Sequence, residues 1–187
     1  MLPKAVVFNL VKRAVESDPV EIEGAARGYD NEVYFVKTID GNVFVVRVKR
    51  FGEVSFRQEA WAMERCRETG VPVPKIFLVD EVSFGGRRME VMVQSKVLGK
   101  SLSEIQKRLS KEEFIEILRR VGEVLGRIHS VKVYGFWRRL DSGRWSLVGW
   151  ERYMRSIIRD RSSERRYILS AGFSQEDFDF MIDMLWK

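Results

Sequence analysis

Cysteine and histidine are nearly missing from this sequence, which contains one of each, Cys66 and His129, in 187 residues. A single cysteine excludes an internal disulfide and provides no metal cluster. His129 falls at the end of a predicted helix, where a lone histidine is more often a cap or packing residue than a base. No Ser/His/Asp or Cys/His catalytic set can be assembled around it. The cysteine usage is typical of a cytoplasmic protein, and we predict that location.

Long apolar runs are also missing, although 45% of the residues are hydrophobic. The apolar stretches are short and interrupted by charges, so we predict no bilayer span and no membrane partner. The first eight residues have neither the apolar length nor the cleavage site of a signal peptide. The apolar content is sufficient for the core of one domain or of two small lobes.

The charge balance is basic, with 33 lysines and arginines against 27 acidic residues and a net charge of +6. A basic surface attracts the phosphates of nucleotides, nucleic acids and lipid headgroups alike, so the charge alone does not choose among them. The arginine-rich region 138–166 leaves a nucleic-acid-binding domain open as an alternative. We rank it last, because it leaves the Arg/Glu pattern described below unexplained.

Strand patterns dominate the first half of the chain and helical patterns the second, which predicts an α+β fold. A helix is expected over 4–16, and Asp40-Gly41 predicts a hairpin with a type I′ turn. A helix over 54–68 and a second hairpin turning at residues 84–86 complete a lobe of five antiparallel strands and one helix. We place this lobe at 1–98 and the first helices of a helical lobe at 99–187.

The second half begins with two capping-box patterns, Ser101 with Glu104 and Ser110 with Glu113. In such a box the serine caps the helix and the glutamate reaches back to the serine N–H. The second box opens a long helix that ends near His129. Two further helices are expected, over 150–161 and 175–185.

Arg47 is the first residue with a clear chemical signal, because it lies in the middle of a predicted strand on the same face as Val43 and Val45. A cation among β-branched residues is costly to bury without a partner or ligand. The following helix offers Glu59, and a strand cation held by a helix carboxylate is one way to present a cation to phosphates. The alternative is that Arg47 and Glu59 are ordinary surface residues.

Four residues between two predicted strands, Gly28, Tyr29, Asp30 and Asn31, could present backbone N–H groups to phosphates. Alone the signal is weak, because most such stretches are only turns. The segment does not match the eight-residue phosphate loop that ends in Lys-Ser or Lys-Thr.

In order and spacing, five segments resemble the aminoglycoside phosphotransferase and choline kinase family, which has a protein-kinase-like fold. The resemblance covers roughly residues 20–137. The segments are Gly28-x-x-Asn31; Phe44-Val45-Val46-Arg47-Val48; Phe56-Arg57-Gln58-Glu59-Ala60; Gly70-Val71-Pro72-Val73-Pro74-Lys75-Ile76; and Val91 to Gly99 together with Leu125 to His129 and Tyr134-Gly135-Phe136.

The resemblance implies a role for each matched position. Arg47 is similar to the strand cation that contacts nucleotide phosphates, Glu59 to its helix partner, and Gly28 to Asn31 to the loop covering the phosphates. Nucleotide binding is also implied for the segment around the hinge between the lobes and for two apolar walls of the purine pocket. Those positions are Gln94, Ser95, Lys96 and Val97 for the hinge segment, and Val45 and Ile76 for the walls.

The implied activity is transfer of a phosphoryl group from ATP or GTP, with Mg²⁺ in the complete protein, to a small hydroxyl-bearing acceptor of unknown identity. Family members continue into a His-Gly-Asp loop followed by Asn and a metal-binding Asp. No histidine follows His129. We therefore expect a chain that stops before the catalytic loop and is inactive alone, with no catalytic or metal ligand residue of its own. A non-catalytic kinase-like module that binds a nucleotide or a partner is the alternative.

Overall fold

The computed structural model describes residues 1–27, 30–51, 54–140 and 142–184, apart from the side chains of residues 25, 27, 136–138, 161 and 162. The chain divides into two compact units, Met1–Val131 and Lys132–Lys187. The first unit contains the five-stranded sheet as well as the helices up to residue 129. The lobe boundary predicted near residue 98 therefore lies inside this unit, and it remains a prediction.

Five antiparallel strands in the order β1-β2-β3-β5-β4 form the centre of the first unit. The predicted five-stranded antiparallel sheet is therefore confirmed. The strands are β1 (Pro19–Arg27), β2 (Asn31–Thr38), β3 (Val43–Lys49), β4 (Ile76–Phe84) and β5 (Arg87–Ser95).

The α-helices among the described residues of this unit are α1 (Lys4–Val15), α2 (Phe56–Glu68), α3 (Leu102–Ile105) and α4 (Lys111–His129). Both capping boxes are present at the starts of α3 and α4. At α4 the Ser110 amide donates to Glu113 Oε2 at 2.8 Å, and the Glu113 amide donates to Ser110 Oγ at 3.1 Å. These bonds satisfy two of the amides that a helix start leaves without an intrahelical acceptor.

Helix α1 covers one face of the sheet and forms the main core with it. The buried positions of α1 are Val7, Leu10 and Val11, one helical turn apart. They pack on strand residues that alternate along each strand and so share a face. These strand residues are Tyr34, Val36, Phe44, Val46, Val48, Val91 and Val93. Each fully buried Val or Leu contributes about 1.5–3 kcal/mol, so this layer holds the sheet together.

The second hairpin turns at Gly85-Gly86, within the predicted residues 84–86, whereas the turn type predicted for the first hairpin is not observed. The type I′ turn predicted at Asp40-Gly41 is wrong: only Gly41 has a positive φ, at 84°, and four residues separate β2 from β3. The two-residue turn with positive φ at both positions occurs instead at Gly85 (57°) and Gly86 (74°).

In the second unit the described residues form a short hairpin, β6 (Phe136–Arg139) and β7 (Trp145–Leu147), followed by the helices α5 (Trp150–Ser163), α6 (Arg165–Ser170) and α7 (Gln175–Met184). The sequence predicted α5 and α7 but neither the hairpin nor α6. Ser174 caps α7, its Oγ accepting the Asp177 amide at 3.1 Å. None of the helices in the part of the chain described here is long and apolar enough to cross a membrane.

Candidate functional site

The face of the sheet opposite α1 carries the candidate site. Two rows of paired residues run across its strands, and paired residues lie on the same face. One row is Phe35, Val45, Gln94 and Ile76, and the neighbouring row is Val33, Arg47, Met92 and Val79. The sheet therefore places Arg47 next to a row of mostly apolar side chains.

Arg47 is held from the side by α2. Its Nη1 donates to Oε1 of Glu59, and the two side chains are only 18% and 28% exposed. The ring of Phe56, the first residue of α2, lies 4.9 Å from the Arg47 Cζ atom. Ser55 is the N-cap residue of α2, and its Oγ accepts the Gln58 amide at 3.2 Å. The start of α2 therefore supplies two of the groups that fix the guanidinium.

Asn31 supplies a third contact. With its amide oriented to satisfy both neighbours, its side-chain oxygen accepts from Arg47 Nη2 at 3.0 Å and its nitrogen donates to the Asp30 carbonyl at 3.2 Å. The Asp30 carbonyl also accepts the amides of Arg50 and Phe51, at 2.8 and 3.2 Å. We call Arg47 with Glu59, Asn31 and Phe56 the arginine clamp.

A cavity of about 210 Å³ opens beside the arginine clamp. It is smaller than the roughly 300 Å³ at which pockets for drug-sized ligands begin, so its size suits a phosphate group better than a whole nucleotide. The lining residues are Asp30, Asn31, Arg47, Lys49, Phe51, Val54, Phe56 and Glu59.

Lys49 is a second cation on this cavity, and the sequence analysis missed it. Its Nζ donates to the Val54 carbonyl at 2.9 Å and to Glu90 Oε2 at 3.3 Å. The same Glu90 oxygen accepts the Phe56 amide at 3.2 Å. Strand alternation could have indicated Lys49, because it follows Arg47 by two residues and so shares its face. No local signal identifies Glu90, which is 41 residues away along the chain.

The predicted purine walls, Val45 and Ile76, lie in one row on either side of Gln94, with which both pair. Val45 is buried and Ile76 is half-buried. The Oε1 atom of Gln94 is buried and has no hydrogen-bond partner among the described residues. This row therefore combines apolar walls with one unsatisfied polar atom.

The predicted hinge begins where β5 ends. Ser95 is tied to the residue that precedes β4, because its amide donates to the Lys75 carbonyl at 2.8 Å and its Oγ accepts the Lys75 amide at 2.9 Å. The Lys96 Nζ lies 5.4 Å from the Phe35 ring, and Val97 is exposed. Contacts of Ser95 and Val97 with a purine remain a prediction.

The structure brings most of the predicted site residues to one face. Asp30, Asn31, Arg47 and Glu59 line one cavity, whereas Val45, Ile76 and Gln94 lie in the next row, outside its lining. Gly28 and Tyr29 lie outside the described residues. The added members are Lys49, Phe56 and Glu90.

Comparisons with known proteins place this arrangement in context. The model of a family described as the phosphotransferase enzyme family (APH) matches residues 21–187. The KEOPS complex subunit Bud32 of Pyrococcus abyssi (strain GE5 / Orsay) is 30% identical over 76 residues, which are 41% of this chain and 32% of that protein.

Two solved structures match parts of this chain. The crystal structure of a candidate fructosamine-3-kinase from Thermobifida fusca YX-ER1 matches with a TM-score of 0.53 and 15% identity, over 96% of this chain and 59% of that one. A structure of WaaP in complex with acyl carrier protein matches with a TM-score of 0.43 and 20% identity, over 68% and 54% of the two chains. The first likeness shows the protein-kinase-like fold. The match spans less than two thirds of each of these three proteins.

Proposed function

The chain belongs to the phosphotransferase enzyme family, and from that premise we propose that it binds ATP or GTP on the face of the sheet opposite α1. The whole protein would transfer the terminal phosphoryl group to a hydroxyl of a small molecule. One observation carries the proposal: a half-buried arginine in the middle of a strand is clamped by a helix carboxylate beside a cavity sized for phosphate.

In this proposal Arg47 donates hydrogen bonds to phosphate oxygens, and the clamp fixes the guanidinium in advance. Preorganised charge of this kind is effective because no reorganisation is needed when the negative charge arrives. Val45 and Ile76 would pack against the purine, and the segment from Ser95 to Val97 would bind its polar edge. Phosphoryl transfer depends mainly on such positioning and charge stabilisation.

Magnesium is implied by the family, but the described residues do not assemble a protein-only site for it. In ranges 1–27, 30–51, 54–140 and 142–184, no group of three His, Cys, Asp or Glu side chains could hold a metal ion. The proposal therefore assigns no step to the metal through this part of the chain.

Nucleotide binding tests the proposal directly. Isothermal titration with ATP and with GTP should show binding by the native chain. Arg47→Met should weaken it roughly 10- to 100-fold, because a hydrogen bond to a charged group is worth about 1.5–3 kcal/mol. The matched control is Arg119→Met, which removes an arginine of α4 that pairs with Glu116 at 2.8 Å and does not line the site. Equal nucleotide affinities for the native chain and Arg47→Met would contradict the proposal.

A non-catalytic module of the same fold, which binds a nucleotide or a partner, is the second candidate. It is favoured by the sequence after the only histidine, because His129 is followed by Ser130 and Val131 and not by Gly-Asp. The reading frame beyond codon 187 distinguishes the two candidates. A His-Gly-Asp motif followed by Asn supports the enzyme, and a stop codon supports the module.

A further inference from the structure

We infer that Lys49 and Glu90 are positioning residues, which fix the start of α2 against the sheet so that the arginine clamp keeps its shape. The inference rests on the proposed nucleotide site and concerns how that site is held together. Neither residue matches the family motifs quoted above, and both were found only through their contacts.

Glu90 acts on the first residue of α2. Its Oε2 accepts the backbone amide of Phe56 at 3.2 Å. That amide is one of the four at a helix start that lack an intrahelical acceptor. A carboxylate there is also favoured by the helix dipole. Glu90 lies on β5, so this contact ties the helix start to a central strand of the sheet.

Lys49 acts on the residue before the helix cap. Its Nζ donates to the Val54 carbonyl at 2.9 Å while it pairs with Glu90 at 3.3 Å. Ser55 is the cap, so the chain is anchored to the sheet on both sides of it. The side chains of Lys49 and Glu90 are only 17% and 19% exposed. Loss of either one would leave the other poorly satisfied in a partly buried place.

The anchored turn carries both α2 members of the clamp. Phe56 and Glu59 are one helical turn apart, about 4.5 Å along the axis, and the Glu59 amide donates to the Ser55 carbonyl at 3.0 Å, which closes this turn. A displacement of the helix start therefore moves the ring and the carboxylate together relative to Arg47. Lys49 and Glu90 act on Arg47 through this turn, so their removal should alter the clamp itself and not only the helix end.

Two measurements on the full chain test this. The first is the ¹⁵N NMR signal of the Arg47 side-chain Nε–H without nucleotide, identified by its loss in Arg47→Lys. The second is the affinity for ATP and GTP. Glu90→Gln and Lys49→Met should each shift the Arg47 signal and weaken nucleotide binding roughly 3- to 30-fold, the range expected for coupled neighbours.

Two controls separate positioning from general stability. Glu81→Gln removes a carboxylate of the same β4–β5 hairpin that pairs with Arg88 at 3.3 Å. Val11→Ala destabilises the core on the opposite face. Neither should shift the Arg47 signal or weaken nucleotide binding.

An unchanged Arg47 signal in both Glu90→Gln and Lys49→Met overturns the inference, whatever the affinities. If Glu90→Gln does not fold, Lys49→Met decides alone. If the native chain binds no nucleotide, the proposed function fails, while the Arg47 signal still decides whether these two residues hold the clamp.

Discussion

Phe56 lies against the guanidinium of Arg47, with 4.9 Å between the Arg47 Cζ atom and the ring centroid. The ring is only 2% exposed, so its position is fixed by packing. A cation over an aromatic face is worth about 0.5–2 kcal/mol, with the larger values where water is excluded. The ring therefore limits where the guanidinium can move.

Replacing that ring should affect binding as well as stability. We expect Phe56→Leu to lower the free energy of unfolding by about 1–3 kcal/mol through lost packing. It should also weaken ATP or GTP binding roughly 3- to 10-fold through the loosened guanidinium. Urea unfolding and titration calorimetry measure the two effects. Val11→Ala, on the opposite face, should reproduce the stability loss alone; a similar affinity loss in that control would contradict this explanation.

Replacing Gln94 should raise the free energy of unfolding, whereas replacing Phe56 should lower it. Its Oε1 atom is buried without a partner among the described residues, and such an atom costs about 1–3 kcal/mol. Gln94→Met should therefore raise the free energy of unfolding of the nucleotide-free chain by about 1 kcal/mol. We expect the adenine amino group of bound ATP to donate to this oxygen, a donor that guanine lacks at that position, so the same variant should lose affinity for ATP more than for GTP. Reduced stability together with unchanged affinities would count against both parts.

The Tyr34 hydroxyl should make stability fall at high pH. Burial raises the pKa of Tyr34 from 10.0 to about 12, and the hydrogen bond that it donates to Glu32 adds to this. Between these two values the folded chain holds a proton that the unfolded chain has released, so stability decreases as pH rises from about 10 to about 12. Urea unfolding at several pH values should show this fall in the native chain and a smaller one in Tyr34→Phe. Parallel curves for the two proteins would refute the prediction.

Substitutions at the two positions of the Gly85-Gly86 turn should affect stability differently. Both glycines have positive φ, and a Cβ added at either meets no described atom within 4 Å, so only backbone conformation matters. Gly86→Ala should destabilise the chain by about 1–2 kcal/mol. Gly85→Asn creates the Asn-Gly pair preferred in such turns and should be nearly neutral. Thermal unfolding compares the two variants, and equal losses would contradict the assignment of this turn.

Patterns that depend on nearby residues predicted most of the first unit. Period-two alternation gave the five strands and placed Arg47 beside Val45, and serine with glutamate three residues later gave both capping boxes. The turn type at Asp40-Gly41 was predicted incorrectly. Strand pairing there leaves a four-residue loop over 39–42, and the side chains of Thr38, at the end of β2, and Asn42 both donate hydrogen bonds to the Asp40 carboxylate.

Features that depend on distant residues were missed. Glu90 reaches Phe56 and Lys49 only because β5 lies beside β3 in the sheet. The sequence of neither strand alone predicts that strand order. The short elements β6, β7 and α6 have too few residues for a periodic pattern to emerge. The orientation of the Asn31 amide likewise follows from Arg47 and the Asp30 carbonyl together.

Helix α1 has a practical consequence for anyone shortening this protein. The family match begins at residue 21, whereas α1 ends at Val15. Trimming to the matched region would delete Val7, Leu10 and Val11 and expose a broad apolar surface across three central strands. Such a fragment should precipitate or self-associate, and its failure to bind a ligand would then report lost solubility and not a missing site.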